Sequence, residues 1–124
     1  MASVKPNSEP IAHSRLRKAY EAFNARDIDT VLSLMHREVR WPNGWEGGYV
    51  YGHDGVREYW TRQWAAINPR VEPVRFGAGE SGATVVDVHA VMRDLAGAII
   101  ADQMVQHVYF FEGGLIRSME LRKS

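Results

Sequence analysis

Apolar residues follow two kinds of spacing along this chain. As far as about residue 67 they recur every three to four positions, and beyond it they alternate or cluster as β-branched runs. Ile11, Leu16, Ala19, Tyr20 and Phe23 mark a first helix. Asn7 or Ser8 can cap it, and Pro10 sits in a first turn where its missing N–H costs nothing. It is expected to end near Asn24-Ala25-Arg26. Asp27 or Asp29 then caps a short second helix with Ile28, Val31, Leu32 and Met35 as its buried stripe. His36 to Arg40 lead into Trp41, read as a short strand, and Pro42 to Gly48 form a Gly-rich loop carrying Trp45. A third helix follows Gly52-His53-Asp54-Gly55, with Val56, Trp60, Trp64 and Ile67 on one face and Asn68-Pro69 as its stop.

The second half reads as strands: Val71 to Phe76, Ala83 to Met92, Ala98 to Glu112 and Leu115 to Arg122, separated by turn residues. Three helices followed by an antiparallel meander is an α+β pattern. A turn centred on Leu95-Ala96 sets Val91 opposite Ile100, His89 opposite Asp102, Asp87 opposite Met104 and Val85 opposite Gln106. One sheet face then carries Asp87, His89, Asp102, Met104 and Gln106. The other, with Val86, Val88, Ala90, Val105, His107, Tyr109 and Phe111, is more uniformly apolar. Three helices cover one face only. Buried polar groups are costly, so the polar-containing face is expected to close over the helices as a lined cavity. The apolar face is expected to meet a second copy, giving a homodimer through the outer side of the sheet.

Length and charge narrow the function classes. The chain has 124 residues, expected to form a single domain over 1–124 with an ordered core from about 8 to 122. Fifteen Lys and Arg balance fifteen Asp and Glu, so the electrostatic footprint of nucleic-acid binding is missing. With no cysteine, disulfides, thiolate metal sites and Cys nucleophiles drop out. The amino-terminal segment is polar and no apolar run approaches the ~20 residues that span a bilayer, so no membrane role and a cytoplasmic location are expected. The histidines lack metal-ligand spacing, the glycine pairs lack a phosphate-binding context, and no Gly-x-Ser-x-Gly elbow occurs. Neither metal nor cofactor is expected.

The chemistry-bearing residues lie on the paired strands. A His89–Asp102 contact would fix the imidazole tautomer and leave the other ring nitrogen as general acid or base, with Asp87 as a secondary carboxylate. The bland alternative is a structural polar pair. Asn43 and Gln106 are candidate polarisers of a carbonyl; Asn43 is equally well explained as a turn residue before Gly44. Trp41, Trp45, Trp60, Tyr20, Tyr59, Met104 and Met119 are the candidate contacts for a small hydrophobic ligand, while Trp64 reads as core.

Three runs carry a family likeness: Tyr20-Glu21-Ala22-Phe23-Asn24-Ala25-Arg26-Asp27-Ile28-Asp29, Gly52-His53-Asp54-Gly55-Val56-Arg57-Glu58-Tyr59-Trp60, and His107 to Ile116. From about Ile11 to Leu121 the chain resembles the nuclear transport factor 2-like superfamily, in its SnoaL-like and ketosteroid-isomerase-like branch. The resemblance implies a cone-shaped α+β barrel, its curved antiparallel sheet packed on three amino-terminal helices around a pocket. In ketosteroid isomerases a carboxylate base works with a tyrosine and a protonated aspartic acid. The resemblance sets those positions at Asn43, at or beside Ala19, and at Gln106, so all three are replaced and steroid isomerisation is not expected. SnoaL-type polyketide cyclases use acidic and histidine groups, which His89, Asp102 and Asp87 could imitate. The Asp-Arg-Asp arrangement of limonene-epoxide hydrolases has no counterpart. Two functions stay open: a cofactor-independent enzyme of isomerase, cyclase or dehydratase type acting on a small hydrophobic oxygenated metabolite, and a non-catalytic binding or dimeric interaction module.

Overall fold

Helix α1 spans Ile11–Asn24 and buries Leu16, Ala19, Tyr20 and Ala22, the stripe expected from their spacing. The computed structural model describes residues 10–123, so the expected caps Asn7 and Ser8 lie outside the described residues; Pro10 occupies the N-cap position. At the other end Asn24 grips the backbone of Val71, donating to its carbonyl at 2.8 Å and accepting from its N–H at 3.0 Å. Helix α2, Ile28–Ser33, is capped by Asp27, whose carboxylate accepts from the Thr30 N–H at 3.2 Å and the Thr30 hydroxyl at 2.7 Å. Met35 opens strand β1, Met35–Pro42, instead of closing α2, yet it is still buried.

A short strand β2, Tyr49–Tyr51, follows the Gly-rich loop and pairs with β1. Gly52, at φ 73°, then turns the chain into helix α3, Gly52–Ala66, in a conformation other residues rarely adopt. Strand β3, Asn68–Ala78, starts almost at once, with Pro69 inside it. This is tolerated because β3 is a sheet edge, where a missing N–H breaks no inward ladder. Strands β4 (Thr84–Arg93), β5 (Ile99–Glu112) and β6 (Leu115–Lys123) complete a six-stranded sheet of order β2-β1-β6-β5-β4-β3.

Two expectations need correction. The sheet is mixed, because β1 pairs in parallel with β6 while every other neighbouring pair is antiparallel. It is also not closed into a barrel, for β2 and β3 remain as edges. The β1–β6 pairing joins the two halves of the chain, a non-local contact that no local pattern encodes.

The β4–β5 hairpin is longer than the two-residue turn assumed. Asp94 organises it by accepting from the N–H groups of Ala96 at 3.0 Å and Ala98 at 2.9 Å. With a bulge beside Arg93, the register moves by two residues: His89 faces Met104, Asp87 faces Gln106, and Asp102 faces Val91. A shift of two preserves which residues share a face.

What changes is which face points inward. Thr84, Val86, Val88 and Ala90 of β4 are buried, and Val86, Val88 and Tyr109 join Leu16, Tyr20, Val56 and Trp60 in one core. The apolar face expected to form the homodimer is therefore covered by the chain's own helices. The polar-containing face is outside. Packing the more apolar set on the helices removes more apolar area from water, at about 25 cal/mol per Å2, and lets Asp87, His89, Asp102 and Gln106 keep their hydration.

Candidate functional site

Between the helices and the inner face of the sheet lies a cavity of about 390 Å3, within the roughly 300–1,000 Å3 common for small-molecule sites. Tyr20 and Phe23 reach it from α1, Trp41 from β1, Tyr59, Trp60 and Gln63 from α3, and Gln103, Val105, His107 and Tyr109 from β5. Its aromatic wall is locked by edge-to-face contacts: Trp41 on Trp60 at 5.6 Å and Phe23 on Trp60 at 5.1 Å between ring centroids. The half-exposed Trp45, together with Ile100, Gln103 and Leu121, marks the open end. Among the described residues lining the cavity there is no Asp, Glu, Lys or Arg.

Its polar centre is a cluster of three buried side chains. Alternation along β5 turns His107 and Tyr109 to the same inward face, and the buried stripe of α1 brings Tyr20 against them. The Tyr109 hydroxyl donates to the Tyr20 hydroxyl at 2.8 Å, and the Tyr20 hydroxyl lies 2.7 Å from His107 Nδ1; Tyr109 is 3.4 Å from the same nitrogen. The Tyr20 ring stacks on the imidazole at 5.8 Å. Tyr109 donates to Tyr20, and the direction of the bond between Tyr20 and Nδ1 follows the tautomer of the imidazole. His107 Nε2 takes no partner among the described residues and is not an enclosed orphan, so it is left to the cavity.

Burial sets the charge state of this cluster. It pushes His107 from 6.5 down to about 4, since an imidazolium there would lack solvation. Burial likewise raises Tyr20 well above 10, helped by the neighbouring Tyr109, and raises Tyr109, with the Tyr20 hydrogen bond pulling partly back. At neutral pH all three are uncharged. A second polar contact sits on α3, where Gln63 Nε2 donates to the Tyr59 hydroxyl at 3.3 Å, and burial again raises the Tyr59 phenol.

Of the expected ligand contacts, Tyr20, Trp41, Trp45, Tyr59, Trp60 and Met119 line the cavity. Trp64 stacks on Trp60 at 5.8 Å and packs against the core, its indole N–H buried without a partner among the described residues. The remaining candidates are elsewhere. His89 Nε2 and Asp102 Oδ1 do meet, at 2.7 Å, but diagonally across the strands and on the outer face, with side chains 44% and 54% exposed. Asp87 is bound there by Gln106 at 2.9 Å and Arg75 at 2.8 Å. The hydrogen bond from Gln106, then that from Arg75, holds its carboxyl below the usual carboxylate range. Met104 is exposed on the same side.

Asn43 is buried but faces its own loop. Its side-chain oxygen accepts from the N–H groups of Trp45 at 3.1 Å and Glu46 at 2.7 Å, and its amide donates to Glu46 at 3.0 Å. That is the turn reading, and Asn43 is not among the residues that line the cavity. The cavity thus receives none of Asp87, His89, Asp102, Gln106, Met104 and Asn43. Conversely, His107 and Tyr109 belong to the more apolar sheet face, which is the one packed on the helices. Their spacing of two, on a strand face that is otherwise apolar but for Gln103, is the available signal. Among the described residues no group of three or more His, Asp or Glu side chains is placed to hold a metal ion.

Known proteins share this fold. Residues 16–119 match the family model for a SnoaL-like domain. A nuclear transport factor 2-like protein of unknown function from Burkholderia pseudomallei is 27% identical, with a TM-score of 0.79 over 94% of this chain and 92% of its own. TerC, solved with polyporic acid, is 25% identical with a TM-score of 0.80 over 93% and 92%. The Mycobacterium tuberculosis protein Rv0760c, solved with estradiol-17β-hemisuccinate, has the same fold at 17% identity and a TM-score of 0.77, over 91% and 93%. No curated protein sequence matches the chain. The inward-facing pocket, the helix-covered mixed sheet and the matched span together make this chain a member of the SnoaL-like domain family within the nuclear transport factor 2-like superfamily.

Proposed function

We propose that the protein binds a small, uncharged, hydrophobic and oxygenated metabolite and performs proton-transfer chemistry on it, of the isomerase, cyclase or dehydratase type, without a cofactor. The observation that carries this reading is the Tyr20–His107–Tyr109 cluster, which brings hydroxyl and imidazole groups to an aromatic cavity free of charged side chains. Flat rings lie against the wall formed by Trp41, Trp60 and Phe23, and an oxygen of the ligand meets His107 or Tyr20. The small molecules held by TerC and by the mycobacterial protein support a hydrophobic, oxygenated ligand; the absence of charge is argued from the cavity lining alone.

Within this proposal His107 and Tyr20 replace His89 and Asp102 as the acid–base pair. The test is a comparison of variants on any neutral aromatic ketone or enol found to be turned over. His107→Gln is expected to lower kcat/KM by roughly 100-fold or more, the usual worth of a positioned acid or base, while His89→Ala changes it less than about twofold. The reverse order would reject the assignment. A second reading, a non-catalytic binding module, is favoured by the lack of any carboxylate in the cavity. It predicts tight binding with no turnover, and equal affinity in the wild type and in His107→Gln.

A further inference from the structure

We propose that Tyr20 and His107 act as a tautomeric relay: His107 Nε2 and the Tyr20 hydroxyl face the ligand as a matched acceptor and donor whose roles exchange when the ring proton moves between Nδ1 and Nε2. The inference rests on the functional reading above and adds to it how a proton crosses a site with no charged group. Three features carry it. Nδ1 and the Tyr20 oxygen are 2.7 Å apart, within direct transfer distance. Both side chains line the cavity, and Nε2 has no protein partner among the described residues. Tyr109 donates to the Tyr20 oxygen at 2.8 Å and so holds that hydroxyl in place through either polarity.

The free site has Tyr20 donating to Nδ1 and a proton on Nε2. A water molecule bridging Nε2 and the Tyr20 oxygen takes the Nε2 proton and gives one to Tyr20, while Tyr20 passes its own proton to Nδ1; a ketone that displaces this water seats its oxygen on the Tyr20 hydroxyl, which now accepts from Nδ1. Nε2 is then a free base beside the α-carbon. In the forward step the α C–H breaks and Nε2–H forms. The Nδ1–H proton passes to Tyr20, and the Tyr20 proton passes to the ketone oxygen, giving the enol. In the return step the enol O–H gives its proton to Tyr20, Tyr20 gives one to Nδ1, and Nε2–H protonates the far end of the allylic system. The site is restored, and the substrate has undergone a shift of one hydrogen. At no point does His107 become imidazolium. That suits its burial, which opposes protonation down to about pH 4.

Nitrogen-15 NMR of histidine-labelled protein tests the relay directly, with β-tetralone as the probe and tryptophan fluorescence reporting its binding. The expected result is Nε2–H His107 in the free protein and Nδ1–H His107 once β-tetralone is bound. Deuterium incorporation at the α-carbon in D2O should be independent of pH between about 6 and 9 and fall roughly 100-fold in Tyr20→Phe and in His107→Gln. Tyr20→Phe leaves the imidazole and Tyr109 in place and is the gentler of the two, so loss of exchange there with retained binding is not explained by unfolding. A His107 that stays Nε2–H or becomes imidazolium with the probe bound overturns the relay and leaves the pocket reading standing. Failure of both β-tetralone and β-naphthol to bind overturns the pocket reading and the relay with it.

Discussion

His107 pays for its place in the cavity wall with an acid-sensitive fold. Its imidazole is held neutral down to about pH 4, whereas in the unfolded chain it ionises near 6.5. Between those values the unfolded state binds a proton that the folded state refuses, so stability falls as pH drops through this window. The slope is about 1.4 kcal/mol per pH unit at most, and it levels off below pH 4. Thermal melts of the wild type should show this decline, and those of His107→Gln should lack it. The neighbouring hydroxyl is expected to matter less. Tyr20→Phe leaves Nδ1 only the 3.4 Å contact with Tyr109 and should cost about 1–2 kcal/mol in urea denaturation at pH 7.

Elements behave more independently. Removing the cap of α2 with Asp27→Ala should cost about 1 kcal/mol, and Asp27→Ser should recover most of it, since a hydroxyl can also accept from the Thr30 N–H. Urea midpoints measure both. Asp27 shows what the pattern of residues makes legible: caps, helical stripes and strand alternation are local, and each lies close to where its residues put it. The parity of the β4–β5 ladder was legible for the same reason, and it survived a two-residue error in register. The orientation of the sheet was not. Alternation separates two faces without saying which meets the helices. The cluster of Asp87, His89 and Asp102 looked like a cavity because polar groups on an apolar strand invite a functional reading, yet those groups satisfy one another in contact with water. Tyr20, Trp41 and Trp60 are legible as pocket residues in the sequence, while His107 and Tyr109 require knowing that the apolar face is inside. The β1–β6 pairing spans most of the chain and left no local trace.

At the scale of the whole molecule, charge is segregated with unusual completeness. Arg75 with Asp87 and Arg70 with Glu72 pair on the outside of the sheet, Arg57 with Asp29 and Arg62 with Glu46 pair on the helical side, and the described residues lining the cavity carry only neutral dipoles. A ligand carrying a formal charge into that space would find no counter-ion and would lose its hydration. β-Naphthol should therefore bind at least about tenfold more tightly than the corresponding naphthoate at pH 7, a difference readable from quenching of Trp41, Trp45 and Trp60. Equal affinities would contradict the neutral-ligand assignment. The cavity also has a length. Strand β5 sends His107 and Gln103 from the same face, and at about 3.3 Å per residue their backbones stand roughly 13 Å apart. His107 is buried and Gln103 is exposed, so the strand works as a ruler laid along the pocket from its closed end to the open one. A metabolite that hydrogen-bonds at both marks must carry oxygens at the two ends of a rigid frame three or four rings long; a shorter one can occupy the inner end only by leaving the outer end to water.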